Sequence, residues 1–565
     1  MTYEETDVLQ WIEDDPDEAT RAELSAVLTA ARAGDGAAAA DLSDRFAGFL
    51  EFGTAGLRGE MGAGPARMNR AVVRKAAAGL TAYLGEHAGP DALVVVGYDA
   101  RYGSEDYAKD TAAIVTAAGM RAMIMPRALP TPLLAYAVRA LEADAGVMVT
   151  ASHNPARDNG YKVYLGGRCA DRWGRGVQLI PPADSEIAAA IAATGPARDI
   201  PLAEGYEVID EELINSYIEH CVGLAGKNTD LSIVYTAMHG VGAEVMRRIF
   251  AQAGFTDVTE VAEQCEPDPD FPTVAFPNPE EAGALDLAIR TAQRVGADII
   301  IASDPDADRC SAAIASGGTW RQLSGDEIGA LLGERLARRV AEGAGWGEED
   351  EPARPVFANS IVSSRLLSKI AASHGIGHAE TLTGFKWIAR VPELAYGYEE
   401  AIGFCVNPEV VRDKDGLSTA ILLASLAADL KREGEDLIGE LRRLYRRHGV
   451  HLTAPVTVRV EDLRIIPATM AKLRAQPPRR LAGSDVVRVE DLSEGSDDLP
   501  PTDALAWYTH DDARVIVRPS GTEPKVKCYL EVRQPLDGDL DEAIEAARRR
   551  LDELSRDVAQ ALRLD

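Results

Sequence analysis

The apolar run Ala145-Gly146-Val147-Met148-Val149 stops abruptly at Thr150-Ala151-Ser152-His153-Asn154-Pro155, and that junction constrains the fold more than any other stretch. A short apolar run between polar neighbours reads as a strand buried on both faces, with Ser152 on a loop at its carboxyl end. The pattern recurs. Leu93-Val94-Val95-Val96 runs into Gly97-Tyr98-Asp99-Ala100-Arg101, and Leu231-Ser232-Ile233-Val234-Tyr235 into Thr236-Ala237-Met238-His239-Gly240-Val241-Gly242. Ile299-Ile300-Ile301-Ala302 runs into Asp304-Pro305-Asp306-Ala307-Asp308-Arg309. Buried strands alternating with helical segments predict doubly wound α/β domains, whose chemistry gathers at the strands' carboxyl ends.

Three roles compete for Ser152. A Ser/His hydrolase is argued against because consecutive side chains diverge along an extended chain and no G-x-S-x-G elbow surrounds the serine. A plain turn is available, since Ser, Asn and Pro are ordinary turn formers. The third role is a serine that carries a phosphoryl group.

Asp304, Asp306 and Asp308 alternate along one short loop and would repel one another without a cation. An EF-hand calcium loop needs Gly at its sixth position and Glu at its twelfth, where this chain has Arg309 and Ala315. A strand also precedes the loop, where an EF-hand has a helix. A small hard cation, Mg²⁺, held by the three carboxylates is the expectation.

With 565 residues the chain exceeds one hydrophobic core and predicts three or four domains. A formal net charge of -31 argues against nucleic acid and anionic membrane as partners, although a local Arg and Lys cluster can still bind an anion. Cys169, Cys221, Cys265, Cys310, Cys405 and Cys528 lie far apart without a C-x-x-C, as expected of reduced core thiols. An acidic N-terminus and the lack of a long apolar run predict a cytoplasmic protein with no membrane segment.

Other stretches carry phosphate- or sugar-binding character. Phe52 to Gly62 is glycine-rich with Arg58 as its fixed cation, and a guanidinium fork suits phosphate. Lys162 closes Asn159-Gly160-Tyr161-Lys162; alone it would read as a surface charge. His239 reads as structural, because no second ligand or acid lies nearby in sequence. Lys386 stands in Thr381-Leu382-Thr383-Gly384-Phe385-Lys386-Trp387-Ile388, with Trp387 read as core. Glu399 and Ala401 stand in Gly397-Tyr398-Glu399-Glu400-Ala401-Ile402-Gly403-Phe404, followed by Asp413-Lys414-Asp415-Gly416. Near the end, Arg518-Pro519-Ser520-Gly521-Thr522-Glu523-Pro524-Lys525 joins two strands as a phosphate cradle.

In this order the motifs resemble those of the α-D-phosphohexomutases, the phosphoglucomutase/phosphomannomutase family, and the Phe-Gly-Thr-Ala-Gly-Leu-Arg-Gly and Glu-Glu-Ala-Ile-Gly segments resemble its phosphoglucomutase-2 branch. The resemblance implies an isomerase, an intramolecular phosphotransferase, in which Ser152 is phosphorylated at rest and Arg58, Lys162 and Lys386 act in catalysis. It implies a metal site of Ser152, Asp304, Asp306 and Asp308, with Arg309 beside it. For the substrate it implies His153, Arg309, Glu399, Ala401, Arg518, Ser520, Gly521, Thr522 and Lys525. Asp99 and Arg101 are expected to support neighbouring loops. Mg²⁺ and a sugar 1,6-bisphosphate, as activator and intermediate, are the implied cofactors. The implied partner is a small phosphosugar, and the chain is a monomer or homodimer.

The implied fold is four domains around a central cleft, three similar doubly wound α/β domains and a smaller C-terminal α+β domain. We place them at residues 1–204 (including an N-terminal helical extension), 205–318, 319–450 and 451–565, with an exposed loop at 343–352 inside the third. Glucose 1-phosphate is the first substrate expected. Phosphopentomutase, phosphomannomutase and glucose 1,6-bisphosphate synthase are alternatives, because Ala401 stands where many hexose mutases have Ser. An inactive sugar-phosphate binder is the alternative outside the enzymes.

Overall fold

A computed structural model of the chain describes residues 3–53, 56–342, 354–459, 465–496, 499–519 and 525–562. It divides into two compact units, Met1–Leu323 with Gly403–Asp429, and Ser324–Ile402 with Leu430–Asp565. The expected loop at 343–352 and the expected cradle residues Ser520, Gly521 and Thr522 lie outside the described residues.

In the first unit, strands Leu93–Tyr98, Arg121–Ile124 and Ala145–Val149 form a parallel core, and Asp158–Leu165 and Leu57–Glu60 add antiparallel strands at one edge. The run 145–149 is buried at every residue because helices cover both faces, and this favours Val and Met over an alternating pattern. A second sheet is ordered Thr319–Gln322, Cys310–Ser316, Ile299–Ser303, Ile233–Thr236, Val258–Glu260. Its central strand Ile299–Ser303 delivers the Asp304–Asp308 loop at its carboxyl end.

The N-terminal extension forms three helices, Glu5–Asp14, Glu18–Arg32 and Gly36–Arg45. Asp17 and Asp35 cap the latter two by accepting from backbone amides, as short acidic side chains do at N-caps. Val8, Leu24, Leu28, Leu42 and Ala63 share one small core there.

In the second unit, parallel strands Gly377–Thr381, Val356–Ser360 and Leu394–Glu399 carry helices Gly325–Ala341 and Leu366–Ser373. An antiparallel sheet follows, ordered Val450–Arg459, Lys525–Gln534, Arg514–Pro519, Leu505–Thr509, Ser484–Asp491, Arg480–Leu481. Helix Leu540–Ala561 closes the chain. Ile361, Val362 and Leu382 pack with Ala504, Ala506 and Ile516, joining the two sheets' layers in one apolar cluster.

Two of the expected boundaries shift. The strand Glu207–Val208, expected in the second domain, pairs with Arg121–Ile124 in the first sheet. The strand Thr319–Gln322, expected in the third, completes a hairpin with Cys310–Ser316. In each case ladder bonds or packing to residues distant in sequence outweighed the local composition on which the boundary was drawn.

Candidate active site

Ser152 has φ 51°, in the left-handed region that a serine enters at a cost, and its backbone N–H donates to Thr150 Oγ1 at 2.9 Å. The turn it makes corrects one argument made from the sequence. Because the backbone is not extended here, the side chains of Ser152 and His153 do not diverge, and Oγ lies 3.2 Å from His153 Nδ1. The Ser152 hydroxyl nevertheless donates to Asp304 Oδ2 at 2.7 Å. With that proton committed, His153 serves Oγ as a donor, the reverse of the direction a hydrolase needs. Burial and then the charges of Arg309 and Arg58 hold the His153 pKa well below its ordinary value, so the ring is neutral.

Arg101, itself buried, is the bracket of this loop. It donates to the carbonyls of Ser152 at 2.6 Å, Asn154 at 2.7 Å, Pro155 at 2.8 Å and Asp158 at 3.0 Å. Asp99 in turn accepts from the Arg101 backbone N–H at 3.0 Å and from Ser104 Oγ at 2.7 Å. Such a clamp fixes an otherwise irregular loop, which cannot satisfy its own buried carbonyls.

Asp304, Asp306 and Asp308 are all fully buried, and one carboxylate oxygen from each lies within 4.8 Å of the others. Ala307, between two of them, has φ 55°, which turns the loop so that the three side chains converge. Gly240 is required next to it, since a Cβ there would stand 2.3 Å from Pro305. Lys162 Nζ lies 2.7 Å from Asp306 Oδ2 and 3.1 Å from Asp308 Oδ2. Lys414 Nζ lies 3.2 Å from Asp308 Oδ2, and Thr131 Oγ1 donates to Asp306 Oδ2 at 2.7 Å. Arg309 Nε is 3.8 Å from Asp308 Oδ1 and 4.0 Å from Asp304 Oδ2.

Electrostatics separate the three carboxyls. Burial, reinforced by Asp306 and Asp308, raises the Asp304 pKa well above its ordinary value. Burial also works against ionisation of Asp306 and Asp308, but Lys162, joined by Lys414 at Asp308, brings both below it. Burial opposes the Lys162 charge as well, and Asp306 and Asp308 overcome it and raise its pKa.

The triad fits a hard divalent cation. Asp306 Oδ1 and Asp308 Oδ1 are buried oxygens without a hydrogen-bond partner, and a site made only of carboxylate oxygens matches Mg²⁺. Leaving such acceptors unmet is costly unless a cation or water meets them.

Arg58 lies on the strand Leu57–Glu60, paired across from Gly160, and its Nη1 donates to Asn154 Oδ1 at 3.4 Å. Burial lowers its pKa, with partial compensation by Asp306, so its charge belongs to the same buried cluster. The first unit therefore brings Ser152, His153, Arg58, Lys162, Arg309 and the three aspartates together. His239 is not among them; its Nε2 lies 2.8 Å from Thr273 Oγ1.

The second unit holds Lys386, Glu399, Ala401, Arg518 and Lys525. Lys386 lies on the short helix Phe385–Ile388 with Nζ 6.0 Å from the partly buried Trp387 ring. Arg518 Nη1 donates to Thr383 Oγ1, which brings the strand Arg514–Pro519 to the Thr-Gly-Phe-Lys segment. Glu399 ends the strand Leu394–Glu399, and Lys525 starts the strand Lys525–Gln534.

Sequence reasoning left Lys414, Thr131 and Glu400 without roles. Lys414 had a signal: it stands just before helix Gly416–Arg432, where the helix dipole disfavours a cation, so its place needs a nearby anion. Thr131, which opens helix Thr131–Ala140, carried none.

Four family models match the chain in order. They are the phosphoglucomutase/phosphomannomutase alpha/beta/alpha domains I (residues 50–197), II (215–317) and III (324–445), and the C-terminal domain (456–547). A probable phosphomannomutase of Haemophilus influenzae is 43% identical over 478 residues, 84% of this chain and 95% of that protein. A phosphopentomutase of Mus musculus is 34% identical over 88% of this chain and 86% of its own. A phosphoglucomutase of Staphylococcus haemolyticus is 34% identical over 86% and 90%. In fold, the chain is similar to the crystal structure of a putative phosphomannomutase from Thermus thermophilus, with a TM-score of 0.69 at 24% identity, covering 91% of this chain and 99% of that one.

Proposed function

This chain belongs to the phosphoglucomutase/phosphomannomutase family, the phosphosugar mutases of the isomerase class, and on that premise we propose that it interconverts glucose 1-phosphate and glucose 6-phosphate through phosphorylated Ser152 and glucose 1,6-bisphosphate. The observation that carries the reading is the Ser152 hydroxyl bonded to a carboxylate of a buried Asp triad at 2.7 Å. A hydroxyl placed there can carry a phosphoryl group among compensating charges; a turn serine would face solvent.

The bond from phosphorus to Ser152 Oγ breaks and a bond from phosphorus to the sugar 6-hydroxyl oxygen forms. The hydroxyl proton passes to a base; once the bisphosphate has turned over, the bond from phosphorus to the sugar 1-oxygen breaks as the Ser152 oxygen takes up that phosphoryl group, and the 1-oxygen receives the proton back. Arg58, His153 and Arg309 stand where they can hold the transferring group's oxygens. Asp304, Asp306 and Asp308 would hold Mg²⁺, which when bound draws charge from the phosphoryl oxygens.

Lys162 and Lys386 are the proton-transfer candidates, and Lys414 joins them. Lys162, fixed between two carboxylates and kept charged by them, suits the role of acid and fixed charge better than that of base. Glu399 takes the sugar hydroxyls, with Ala401 beside it. The proposed phosphate-binding residues Arg518, Ser520, Gly521, Thr522 and Lys525 must accept either phosphate as the bisphosphate turns over.

Ribose 1-phosphate is the second reading, favoured by Ala401 in place of a serine hydroxyl and by relatives named phosphopentomutase. The test is turnover of glucose 1-phosphate, ribose 1-phosphate and mannose 1-phosphate with Mg²⁺ and a trace of sugar bisphosphate, wild type against Ser152→Ala. Intact mass of the purified protein reads the phosphoserine directly. Activity surviving in Ser152→Ala would sink the phosphoserine mechanism.

A further inference from the structure

Glu400, next to Glu399, turns its carboxyl into the second unit's interior instead of outward. Its Oε2 lies 3.0 Å from Ser360 Oγ and 3.0 Å from Ser363 Oγ, and these two hydroxyl oxygens lie 2.8 Å from each other. The Glu400 backbone N–H donates to Ser363 Oγ at 3.1 Å. Both serines are fully buried and Glu400 is half-buried, so the two hydroxyls must find their partners within the ring.

Three oxygens at mutual hydrogen-bonding distance need three protons, one for each edge of the triangle. The two serines supply two. An ionised Glu400 would draw both hydroxyl protons to Oε2 and leave the Ser360–Ser363 edge as two bare oxygens in contact. A protonated Glu400 supplies the third proton and closes the ring, with each oxygen donating once.

We propose that Glu400 works as a neutral carboxyl which closes a hydrogen-bonded ring with Ser360 and Ser363 and so positions the adjacent Glu399 for sugar recognition. The inference rests on the sugar-binding role given above to Glu399.

The surroundings favour the uncharged form. Asp326, in the first turn of helix Gly325–Ala341, and Glu399 on the same loop are the carboxylates that act on Glu400, and both oppose a further negative charge. From the neighbouring strand Arg514–Pro519, Arg514 donates by Nη2 to the Ser363 carbonyl. Arg365, which follows Ser364 in the serine segment, is paired with Glu531 at 2.5 Å. Burial, then Glu399 and Asp326, push the Glu400 carboxyl up to about 7.

The backbone around the ring has little slack. A Cβ on Gly325 would stand 2.0 Å from the Glu400 carbonyl oxygen, so the helix start is pressed against this loop. Glu531 accepts from Ser364 Oγ at 2.9 Å and from the Arg365 backbone N–H at 2.8 Å, fixing the serine segment from the other side. Glu400 is tied to the serine segment by both its side chain and its backbone N–H, and Glu399 is the residue joined directly to it, so a change in the ring is passed to Glu399.

The experiment measures KM and kcat for glucose 1-phosphate across the pH range around 7 in wild type, Glu400→Gln, Glu400→Ala and Glu399→Gln, alongside difference infrared spectra of the protonated-carboxyl band. In wild type, KM is expected to rise roughly tenfold as pH passes through about 7, the scale of one lost hydrogen bond. Glu400→Gln, whose amide donates as the neutral acid does, is expected to keep the low KM at every pH and to lose the infrared band. Glu400→Ala is expected to show the high KM throughout. A Glu400→Gln KM profile that follows wild type, or a wild-type-minus-Glu400→Gln difference spectrum that lacks a protonated-carboxyl band below about pH 7, overturns the proposal. If Glu399→Gln leaves KM unchanged while the band still titrates, the positioning claim falls with the sugar reading, and the neutral ring alone stands.

Discussion

Two buried carboxyl clusters in this protein meet the same physical problem by opposite means. In the Asp304–Asp308 loop, lysines stand against the charge: Lys162 spans Asp306 and Asp308, and Lys414 reaches Asp308. At Glu400, two neutral hydroxyls and a count of protons stand where a cation would be, and the group avoids charge altogether. The difference follows from use. A centre that handles phosphoryl groups needs fixed charge before the substrate arrives. A loop with the proposed task of aligning a sugar-binding residue needs geometry, and an uncharged ring gives geometry without the desolvation cost of an ion.

The largest effect expected is on the charged side. Ser152→Ala should lower kcat on the order of 10⁶-fold, as for loss of a covalent nucleophile, and intact mass should show no phosphoryl group. The same substitution should leave the Glu400 infrared band unchanged, which keeps the two clusters separate.

Lys162→Met removes the cation that spans two carboxylates. It is expected to destabilise the protein by roughly 3 to 5 kcal/mol at neutral pH, with the melting temperature partly restored by Mg²⁺, which can neutralise the same oxygens. A variant that melts like wild type without Mg²⁺ would show that the lysine is not what makes the triad tolerable.

The uncharged side has its own signature in stability against pH. The Glu400 pKa is raised from 4.5 to about 7, so between those values the folded protein keeps a proton that the unfolded chain has lost. Its contribution to stability is fully present below pH 4.5, falls as pH rises across that window and is gone above about 7. The difference in slope between wild type and Glu400→Gln in denaturant titrations should sum to roughly 3 kcal/mol or less. A slope of the opposite sign would mean that Glu400 is ionised in the folded state.

The smallest effect belongs to Ala401. Restoring a hydroxyl with Ala401→Ser is expected to shift the ratio of kcat/KM for glucose 1-phosphate over ribose 1-phosphate upward by up to about tenfold, the value of one hydrogen bond. No change in the ratio would remove this position from sugar choice.

The strands and the reactive loops are legible in the sequence because their signals are local. Ile299 to Ala302 are apolar without interruption, and the aspartates alternate directly after them, so strand, loop and metal-type chemistry are all written within ten residues. Asp17 and Asp35 at helix starts are equally local. The contact between Ser152 and His153 is not legible, because a single left-handed residue reverses the geometry of an extended chain, and a serine at φ 51° gives no warning in composition. Domain edges at 205 and 319 follow local composition, whereas ladder bonds assign the strands on either side.

By itself, the sequence determined the α/β class and the order of the loops and put forward Ser152 and the three aspartates as candidates, since strand burial and residue chemistry act over a few neighbouring positions; Arg58 came from the family resemblance. Only the tertiary structure decided which cations answer the aspartates and which hydroxyls meet Glu400. Lys162 reaches Asp306 across 144 residues and Ser360 reaches Glu400 across 40, and no spacing rule records such pairs. Whether a buried carboxyl is ionised depends on the few groups within hydrogen-bonding reach, and packing alone selects them.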